Sequence, residues 1–131
     1  MVLPKNPDLY LRGDTALPPR WRPNSRRRFI GLKRRLAACA RDLGEIWNIN
    51  SGYRSIEEQR RLYNLYLAGK GNLAAPPGKS AHNFGGAADV SVRGANVGDS
   101  KRRRNKLKEY GLCLPVHGES WHVQVGDKWA S

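Results

Sequence analysis

Two groups of side chains that can bind metal ions, one in the middle of the chain and one near its end, constrain the fold most strongly. The first group lies in Ser80–Asp89, with the sequence SAHNFGGAAD, and the second is Glu119–His122, with the sequence ESWH. Together they supply two imidazoles and two carboxylates. This set suits a catalytic zinc site with three protein ligands, one open position and a general base. Any fold that uses the set must bring the two segments together.

Length and charge limit the class of protein. With 131 residues, the chain is expected to form one globular unit that buries roughly two thirds of its unfolded surface. It contains 24 lysines and arginines against 11 acidic residues, a formal net charge of +13. Such a charge attracts polyanions, and both nucleic acid and the anionic polymers of a bacterial cell wall are candidates.

The first 25 residues are predicted to be a proline-rich N-terminal extension, and residues 26–131 the domain onto which it packs. The extension contains five of the eight prolines: Pro4, Pro7, Pro18, Pro19 and Pro23. Proline fixes φ and removes a backbone donor, so we expect extended or turn-like structure here. The apolar side chains that could attach it to the domain are Leu3, Leu9, Tyr10, Leu11, Leu17 and Trp21.

Sequence signals for membrane insertion and secretion are missing. No apolar run approaches the about 20 residues needed to cross a bilayer, so we expect no membrane span. The N-terminus lacks a basic region followed by an apolar stretch, so we expect no signal peptide.

Helical periodicity is clearest over residues 25–43. Apolar side chains recur at steps of three and four residues: Phe29, Leu32, Leu36, Cys39, Ala40 and Leu43. Gly44 is a natural end for this helix. A third, very basic helix is predicted over residues 100–110, ended by Gly111.

Between these helices, Ser55 and Glu58 form a capping box, which predicts a second helix that ends near Gly69. We expect this helix to bury Leu62, Leu65 and Tyr66.

Three segments have strand patterns. Residues 45–50 predict a strand anchored by Ile46 and Ile49, and residues 121–125 a strand at the end of the chain. In residues 87–92, Val90 and Val92 point to one face, so Asp89 points to the other, away from the core. Helices on one face of a small, mostly antiparallel sheet make an α+β fold.

The two cysteines, Cys39 and Cys113, belong to no C-x-x-C pair and lie among apolar residues. Buried free thiols are therefore predicted rather than a disulfide or a thiolate metal site.

The motifs S-x-H-x-x-G-x-A-x-D and E-x-W-H, together with Ser51–Ser55 (SGYRS), resemble those of the zinc D,D-peptidase family. This family includes D-alanyl-D-alanine carboxypeptidases, VanY-like carboxypeptidases and peptidase domains of phage endolysins. The resemblance covers residues 49–125. It implies the fold shared by these peptidases and the hedgehog signalling domain, and makes residues 26–131 a zinc peptidase catalytic domain.

The resemblance also implies the roles of the site residues. By this resemblance, the ligands to a single Zn²⁺ ion are His82, Asp89 and His122. Glu119 is the general base and acid, which accepts a proton from the attacking water and delivers one to the leaving amine. Arg54 binds the substrate or stabilises the developing oxyanion. Ser80 and Gln59 are further candidates for substrate binding.

The spacing of Glu119 and His122 adds a structural expectation. In a regular strand these two positions would face opposite sides of the sheet. We therefore predict a turn or bulge near Gly118–Ser120, with Glu119 just before the strand and His122 within it. The remaining histidine, His117, is predicted to lie in a loop.

The favoured function is zinc-dependent hydrolysis of peptidoglycan stem peptides or cross-bridges by an endolysin-like endopeptidase. A D-alanyl-D-alanine carboxypeptidase of the same family and a non-catalytic zinc-containing wall-binding module are the alternatives. A phage lysin made in the host cytoplasm and released at lysis would fit the expected lack of a signal peptide. Anionic wall polymers are candidate partners. We expect a monomer. No known nucleic-acid-binding motif accompanies the basic runs, so we expect no nucleic acid partner.

Overall fold

The centre of the molecule is a six-stranded sheet in a computed structural model that describes residues 2–130. The strands are β1 (Leu11–Gly13), β2 (Trp47–Ser51), β3 (Ala87–Val92), β4 (Ala95–Asn96), β5 (Leu112–Cys113) and β6 (His122–Val125). Their order is β1-β2-β3-β6-β5, with β4 paired to β3. The helices are α1 (Pro23–Leu43), α2 (Ile56–Leu67) and α3 (Lys101–Glu109). β1 and β2 are parallel and the other pairs antiparallel, so the predicted α+β fold is confirmed.

Helix α1 provides much of the core against the sheet. Phe29, Leu32 and Leu36 are fully buried on the face that the periodicity predicted. The helix ends at Gly44, whose left-handed backbone (φ 65°) lets its N–H bond back to the last turn. Both cysteines are buried and free, as predicted.

The N-terminal segment contributes a strand that the sequence pattern did not reveal. Leu11 is buried, and β1 pairs in parallel with β2 at the edge of the sheet. Leu9 and Trp21 were expected to attach this segment to the domain, but they are 60% and 73% exposed. Leu3, Tyr10 and Leu17 do pack against the core.

The strand predicted over residues 45–50 forms slightly later in the chain, as β2 over Trp47–Ser51. β2 begins at Trp47, so the side chains of Trp47 and Ile49 face the core and are fully buried. Ile46 precedes the strand and is 47% exposed, so its prediction as an apolar anchor was wrong. The Trp47 indole donates to the Glu45 carboxylate at 3.0 Å, which satisfies the polar atom of this buried ring.

Helix α2 begins where the capping box predicted, with the Ser55 hydroxyl accepting from the Glu58 N–H at 3.1 Å. The predicted burial of its apolar side chains was wrong. Leu62 and Leu65 are half-buried, and Tyr66 is 38% exposed. Within this helix the buried side chain is Gln59, because α2 lies at the margin of the molecule rather than on the sheet.

Helix α3 is short and basic, as predicted, with Ser100 at its N-cap. It is held by buried Leu107 and by Arg103, which donates to the Glu45 carboxylate at 2.6 Å and 3.0 Å. None of the helices within residues 2–130 combines the length and hydropathy needed to cross a bilayer.

Candidate active site

The sheet register aligns three of the motifs. Asp89 on β3 pairs with His122 on β6 and with Ser51 on β2. Directly opposed residues on neighbouring strands have side chains on the same face. Val90 and Val92 are buried on the other face, so the prediction that Asp89 faces away from the core is confirmed. The two distant sequence groups therefore meet on one polar face of the sheet.

His82 reaches this face from a 3₁₀ turn, Ala81–Phe84, that precedes β3. The Ser80 hydroxyl caps the turn by accepting from the His82 N–H at 3.3 Å. At the other end, Gly85 has φ 72°, and a Cβ there would lie 2.3 Å from the Ser25 carbonyl oxygen of α1. The G of S-x-H-x-x-G is thus required both by backbone conformation and by close contact with α1.

Three donor atoms converge beside β3. His82 Nε2 lies 3.1 Å and His122 Nδ1 lies 3.4 Å from Asp89 Oδ1. One potential ligand atom of each residue lies within 4.8 Å of the others, so the three could hold a metal ion. Zinc–ligand distances of about 2.0–2.2 Å with tetrahedral angles separate neighbouring donors by about 3.3–3.6 Å. The two histidine–aspartate distances, 3.1 Å and 3.4 Å, are close to that spacing.

Hydrogen bonds on the far side of each imidazole fix the nitrogen that faces the site. His82 Nδ1 donates to the Gly52 carbonyl at 2.8 Å, because a carbonyl can only accept. His122 Nε2 donates to the side-chain oxygen of Gln124 at 2.7 Å. In the neutral rings, the lone pairs therefore lie on His82 Nε2 and His122 Nδ1, the two atoms nearest Asp89. Such outer hydrogen bonds orient histidines that bind metals.

The electrostatics of the cluster favour an ionised carboxylate. Burial on its own would raise the pKa of Asp89, but hydrogen bonds that His122 and His82 donate when their imidazoles are protonated outweigh it and hold this pKa below its ordinary value. Burial would lower the pKa of His122, but its bonds to Asp89 and Gln124 raise it overall. The cluster thus contains an ionised carboxylate beside two imidazoles, an arrangement that attracts positive charge.

Glu119 lies in the turn before β6, as the parity argument predicted. Gly118 has φ 78°, and the His122 N–H donates to the Glu119 carbonyl at 3.3 Å. The turn places Glu119 Oε1 3.9 Å from His122 Nδ1, at the edge of the cluster. His117 is exposed in the same turn, in agreement with its predicted loop position.

Arg54 stands on the opposite side of Asp89, between β2 and α2. Its Nη2 lies 3.9 Å from Asp89 Oδ2 and donates to the Ser51 hydroxyl at 2.9 Å. Burial lowers the pKa of Arg54, although the nearby carboxylates oppose this. The guanidinium adjoins a cavity of about 570 Å³ whose lining includes Asp14, Tyr53 and Glu58. Arg54 is therefore a cation within ion-pair distance of a candidate ligand and borders open space.

Gln59 has a different position from the one expected of a substrate-binding residue. Its side chain is 1% exposed. Its oxygen accepts from Arg54 Nη1 at 2.9 Å, and its nitrogen donates to the Ala75 carbonyl at 2.8 Å. Both polar atoms are used inside the protein, so Gln59 links Arg54 to the loop over residues 68–80.

Three residues that support the site were not singled out from the sequence. Asn83 is buried, and its amide accepts from the Gly78 N–H and donates to the Arg54 carbonyl, at 3.1 Å and 2.8 Å. The Gly52 carbonyl and Gln124 orient the two histidines. Gln124 could have been found by strand alternation, since it is two residues after His122 and shares its face. Gly52 contributes only backbone, for which the sequence has no side-chain signal.

Comparison with solved structures identifies this fold elsewhere. The LdcB LD-carboxypeptidase, whose structure explains peptidoglycan recognition, is 26% identical with a TM-score of 0.57 over 74% of this chain. The chain spans 56% of the LdcB length. VanYB in complex with D-alanine-D-alanine is 26% identical, with a TM-score of 0.53, over 76% of this chain and 70% of VanYB.

Two more distant likenesses support the fold alone. The vancomycin resistance D,D-pentapeptidase VanY from a VanB-type cassette, solved with Zn(II), is 23% identical with a TM-score of 0.50, over 77% of this chain and 71% of its own. The L-Ala D-Glu endopeptidase ChiX of Serratia marcescens is 20% identical with a TM-score of 0.50, over 90% of this chain and 92% of its own. No curated protein sequence is significantly similar to the chain.

The sequence family agrees with these structural likenesses. Residues 25–125 match the VanY family, described as D-alanyl-D-alanine carboxypeptidase. The match covers most of the chain and includes all three motifs, so the predicted family and its class of enzyme, peptidase, are confirmed. The chain therefore belongs to the VanY family of D-alanyl-D-alanine carboxypeptidases.

Proposed function

We propose that this protein is a zinc-dependent peptidase that hydrolyses peptide bonds of bacterial peptidoglycan. The observation that supports it most strongly is the convergence of His82 Nε2 and His122 Nδ1 on Asp89, with Glu119 at one edge and Arg54 at the other. Candidate ligands, an acid–base residue and a cation are the components of a metallopeptidase.

Zinc is the ion that best fits this donor set. Two imidazole nitrogens and one carboxylate oxygen are the ligands of catalytic zinc sites, which keep a fourth position open. A VanY structure in complex with Zn(II) has the same fold. When bound, zinc polarises the scissile carbonyl and lowers the pKa of water so that it can attack near neutral pH.

Glu119 and Arg54 are assigned complementary roles. Glu119 accepts the proton of the attacking water and returns one to the leaving amine, because its carboxylate borders the cluster on the side of His122. Arg54 stabilises negative charge on the substrate, either the developing oxyanion or a terminal carboxylate. Ser80 acts through the turn that it caps, although a direct contact with substrate stays a prediction.

The substrate class rests on the relatives. The LdcB structure reveals the basis of peptidoglycan recognition, and the VanYB structure contains D-alanine-D-alanine. Both proteins are 26% identical to this chain. We extend this class to the present chain as stem peptides or cross-bridges of the wall. The protein would therefore act at the cell wall, and the monomeric state and phage origin stay predictions.

Two kinds of bond are candidates. The sequence analysis favours an endolysin-like endopeptidase, on account of the small size and positive charge of the chain. The family description and the E-x-W-H motif favour removal of a terminal D-alanine. Mass spectrometry of fragments released from defined peptidoglycans separates the two. Loss of one D-alanine indicates a carboxypeptidase, and internal cleavage indicates an endopeptidase.

The Glu119→Gln variant tests whether the protein is catalytic at all. The amide cannot accept the proton, so we expect the rate of peptide hydrolysis to fall about 100- to 10,000-fold while zinc content is kept. Glu57→Gln, on exposed helix α2, removes the same charge at a distance and is the matched control.

Equal hydrolysis by wild type and Glu119→Gln would contradict the assignment of Glu119. Chelator-insensitive cleavage would contradict the metal. No cleavage of any peptidoglycan by the zinc-loaded wild type would favour the non-catalytic wall-binding module.

A further inference from the structure

The first turns of α1 and the residues before it form a basic surface that the proposed reaction does not use. We call it the arginine surface and define it as Arg20, Arg22, Arg26, Arg27 and Arg28. Between Asp14 and Asp42 the sequence contains no acidic residue. Arg20, Arg27 and Arg28 are exposed, and Arg22 and Arg26 are half-buried.

The charges of this surface lack acidic partners, unlike those of the other basic helix. In α3, Arg103 pairs with Glu45, and Lys106 with Glu109, both at 2.6 Å. Within residues 2–130, no ion pair involves the arginine surface. Its guanidinium groups bind neutral oxygens instead, such as Arg26 to the Pro18 carbonyl at 2.7 Å and Arg27 to the Asn24 side chain at 2.7 Å. Its positive charge therefore faces solvent uncompensated.

The arginine surface also has a groove and an aromatic side chain. Arg20, Pro23, Arg26, Arg27 and Ile30 line a shallow groove of about 360 Å³. Beside it, the Trp21 ring is 73% exposed, with the Arg22 guanidinium 4.8 Å from its centroid. Cations around an apolar floor suit a ligand that alternates anionic groups with less polar units, such as a phosphate-linked glycopolymer.

This surface is continuous with the candidate active site. Arg28 donates to the Phe84 carbonyl at 3.2 Å, and Phe84 belongs to the turn that presents His82. Gly85, next in the chain, packs directly on the Ser25 carbonyl of α1. A polymer held along the first turns of α1 would therefore pass beside the motif that contains His82.

We propose that the arginine surface binds a phosphate-bearing anionic polymer of the bacterial wall and holds the protein beside its substrate. This inference rests on the proposed function, because peptidoglycan is the material to which such polymers are attached. Nucleic acid offers similar phosphates but is not joined to stem peptides, so the position beside His82 favours the wall polymer.

Binding to purified cell walls, with and without prior removal of their phosphate polymers by hydrofluoric acid, tests the proposal. Cosedimentation is measured at low temperature, and every variant also carries Glu119→Gln, so that cleavage does not interfere. The protein with Glu119→Gln alone is the background protein. Arg20→Gln/Arg27→Gln removes two exposed charges from the groove. Lys101→Gln/Arg102→Gln removes two exposed charges from α3 and is the matched control.

The groove variant should bind intact walls about tenfold or more weakly at low salt, and the control variant within about twofold of the background protein. The difference should vanish on walls stripped of phosphate polymer. Circular dichroism confirms that both variants fold. With the wild-type glutamate restored, both should cleave a short soluble stem peptide as fast as the parent, so loss of binding is separable from failure of the proposed function.

Three results would overturn the proposal. Equal losses from both double variants would indicate a nonspecific effect of net charge. If the Glu119→Gln protein bound stripped walls as tightly as intact walls, the phosphate polymer would not be what the surface binds. A groove variant that loses affinity for duplex DNA at 150 mM salt while binding walls normally would assign the surface to nucleic acid instead.

Discussion

The two sides of the candidate active site are built differently. On the sheet side, Asp89 and His122 are directly opposed on neighbouring strands, and behind them Ala88, Val90 and Val123 are fully buried. On the helix side, Arg54 precedes α2, a helix in which the buried side chain is the polar Gln59. The sheet side is therefore fixed by backbone pairing over an apolar core, and the helix side by a few side-chain hydrogen bonds.

This difference separates metal binding from substrate binding in physical terms. Strands over a close-packed core allow little displacement, which suits donors that must stay within tenths of an ångström of one another. Segments with few buried apolar contacts open locally at lower free energy. The loop over residues 68–80 and the side chains of α2 can therefore adjust to a peptide more easily than the strands that carry Asp89 and His122.

Acid should disrupt the sheet side first and with the largest effect. A ligand imidazole must lose its proton to bind zinc, and the pKa of His122 is raised, so protons compete from a higher pH than for an ordinary histidine. The pKa of Asp89 is lowered, so its carboxylate stays ionised and does not cause the loss. Between pH 7.5 and pH 5 we expect zinc affinity to fall by on the order of 100-fold or more.

Zinc content after dialysis at each pH, measured together with activity, checks this prediction. Both should decline together below about pH 6. Full zinc occupancy and activity at pH 4 would exclude His82 and His122 as the ligands.

Replacement of Gln59 by leucine should damage the helix side alone. Arg54 Nη1 loses its acceptor and the Ala75 carbonyl its donor, so we expect kcat/KM to fall about 10- to 100-fold. Zinc content should be unchanged, because Gln59 does not contact a candidate ligand. Steady-state kinetics on a stem peptide and metal analysis measure the two effects.

Gln59→Glu separates the two hydrogen bonds of this residue. The carboxylate still accepts from Arg54 but no longer donates to Ala75. Recovery of most activity would indicate that positioning Arg54 is what matters, and zinc loss in either variant would refute the separation of the two sides.

Truncation of apolar side chains should show the smallest difference between the two sides, in the free energy of unfolding. Ile49→Ala, in β2, removes a fully buried side chain and should lower the free energy of unfolding by about 2–5 kcal/mol. Leu65→Ala, in α2, truncates a half-buried one and should cost less than about 1 kcal/mol. Urea unfolding of the zinc-free proteins measures both, and equal losses would mean that α2 is part of the cooperative core.

Local sequence signals account for most of the secondary structure. Three signals depend only on neighbouring residues: the apolar period of α1, the Ser55 cap of α2 and the alternation in β3. They can therefore be recognised in the sequence before the fold is known. The predictions failed where a residue's surroundings come from elsewhere. Ile46 and Tyr66 are apolar, but 47% and 38% of their surfaces stay exposed, which depends on the packing of distant elements and not on local pattern.

The candidate ligands were identifiable because their types and spacings match those of a known family. Glu119 was placed correctly before β6 because residues 119 and 122 would face opposite sides of a regular strand, so a turn or bulge was needed between them. The hydrogen bonds that prepare these residues were not identifiable. Gly52 acts through its carbonyl and Asn83 through its contacts with Gly78 and Arg54, which are close only after folding.

The sequence by itself determined the family, the candidate ligands and the two strands that hold Asp89 and His122, because these depend on residue types and local spacing. Only the tertiary structure decided which imidazole nitrogens face Asp89, that Gln59 supports Arg54 from inside, and that the arginine surface adjoins the turn with His82. The reason is that hydrogen bonds and surface continuity join residues far apart in the chain, whose distances are set by strand register and by the packing of α1 against that turn.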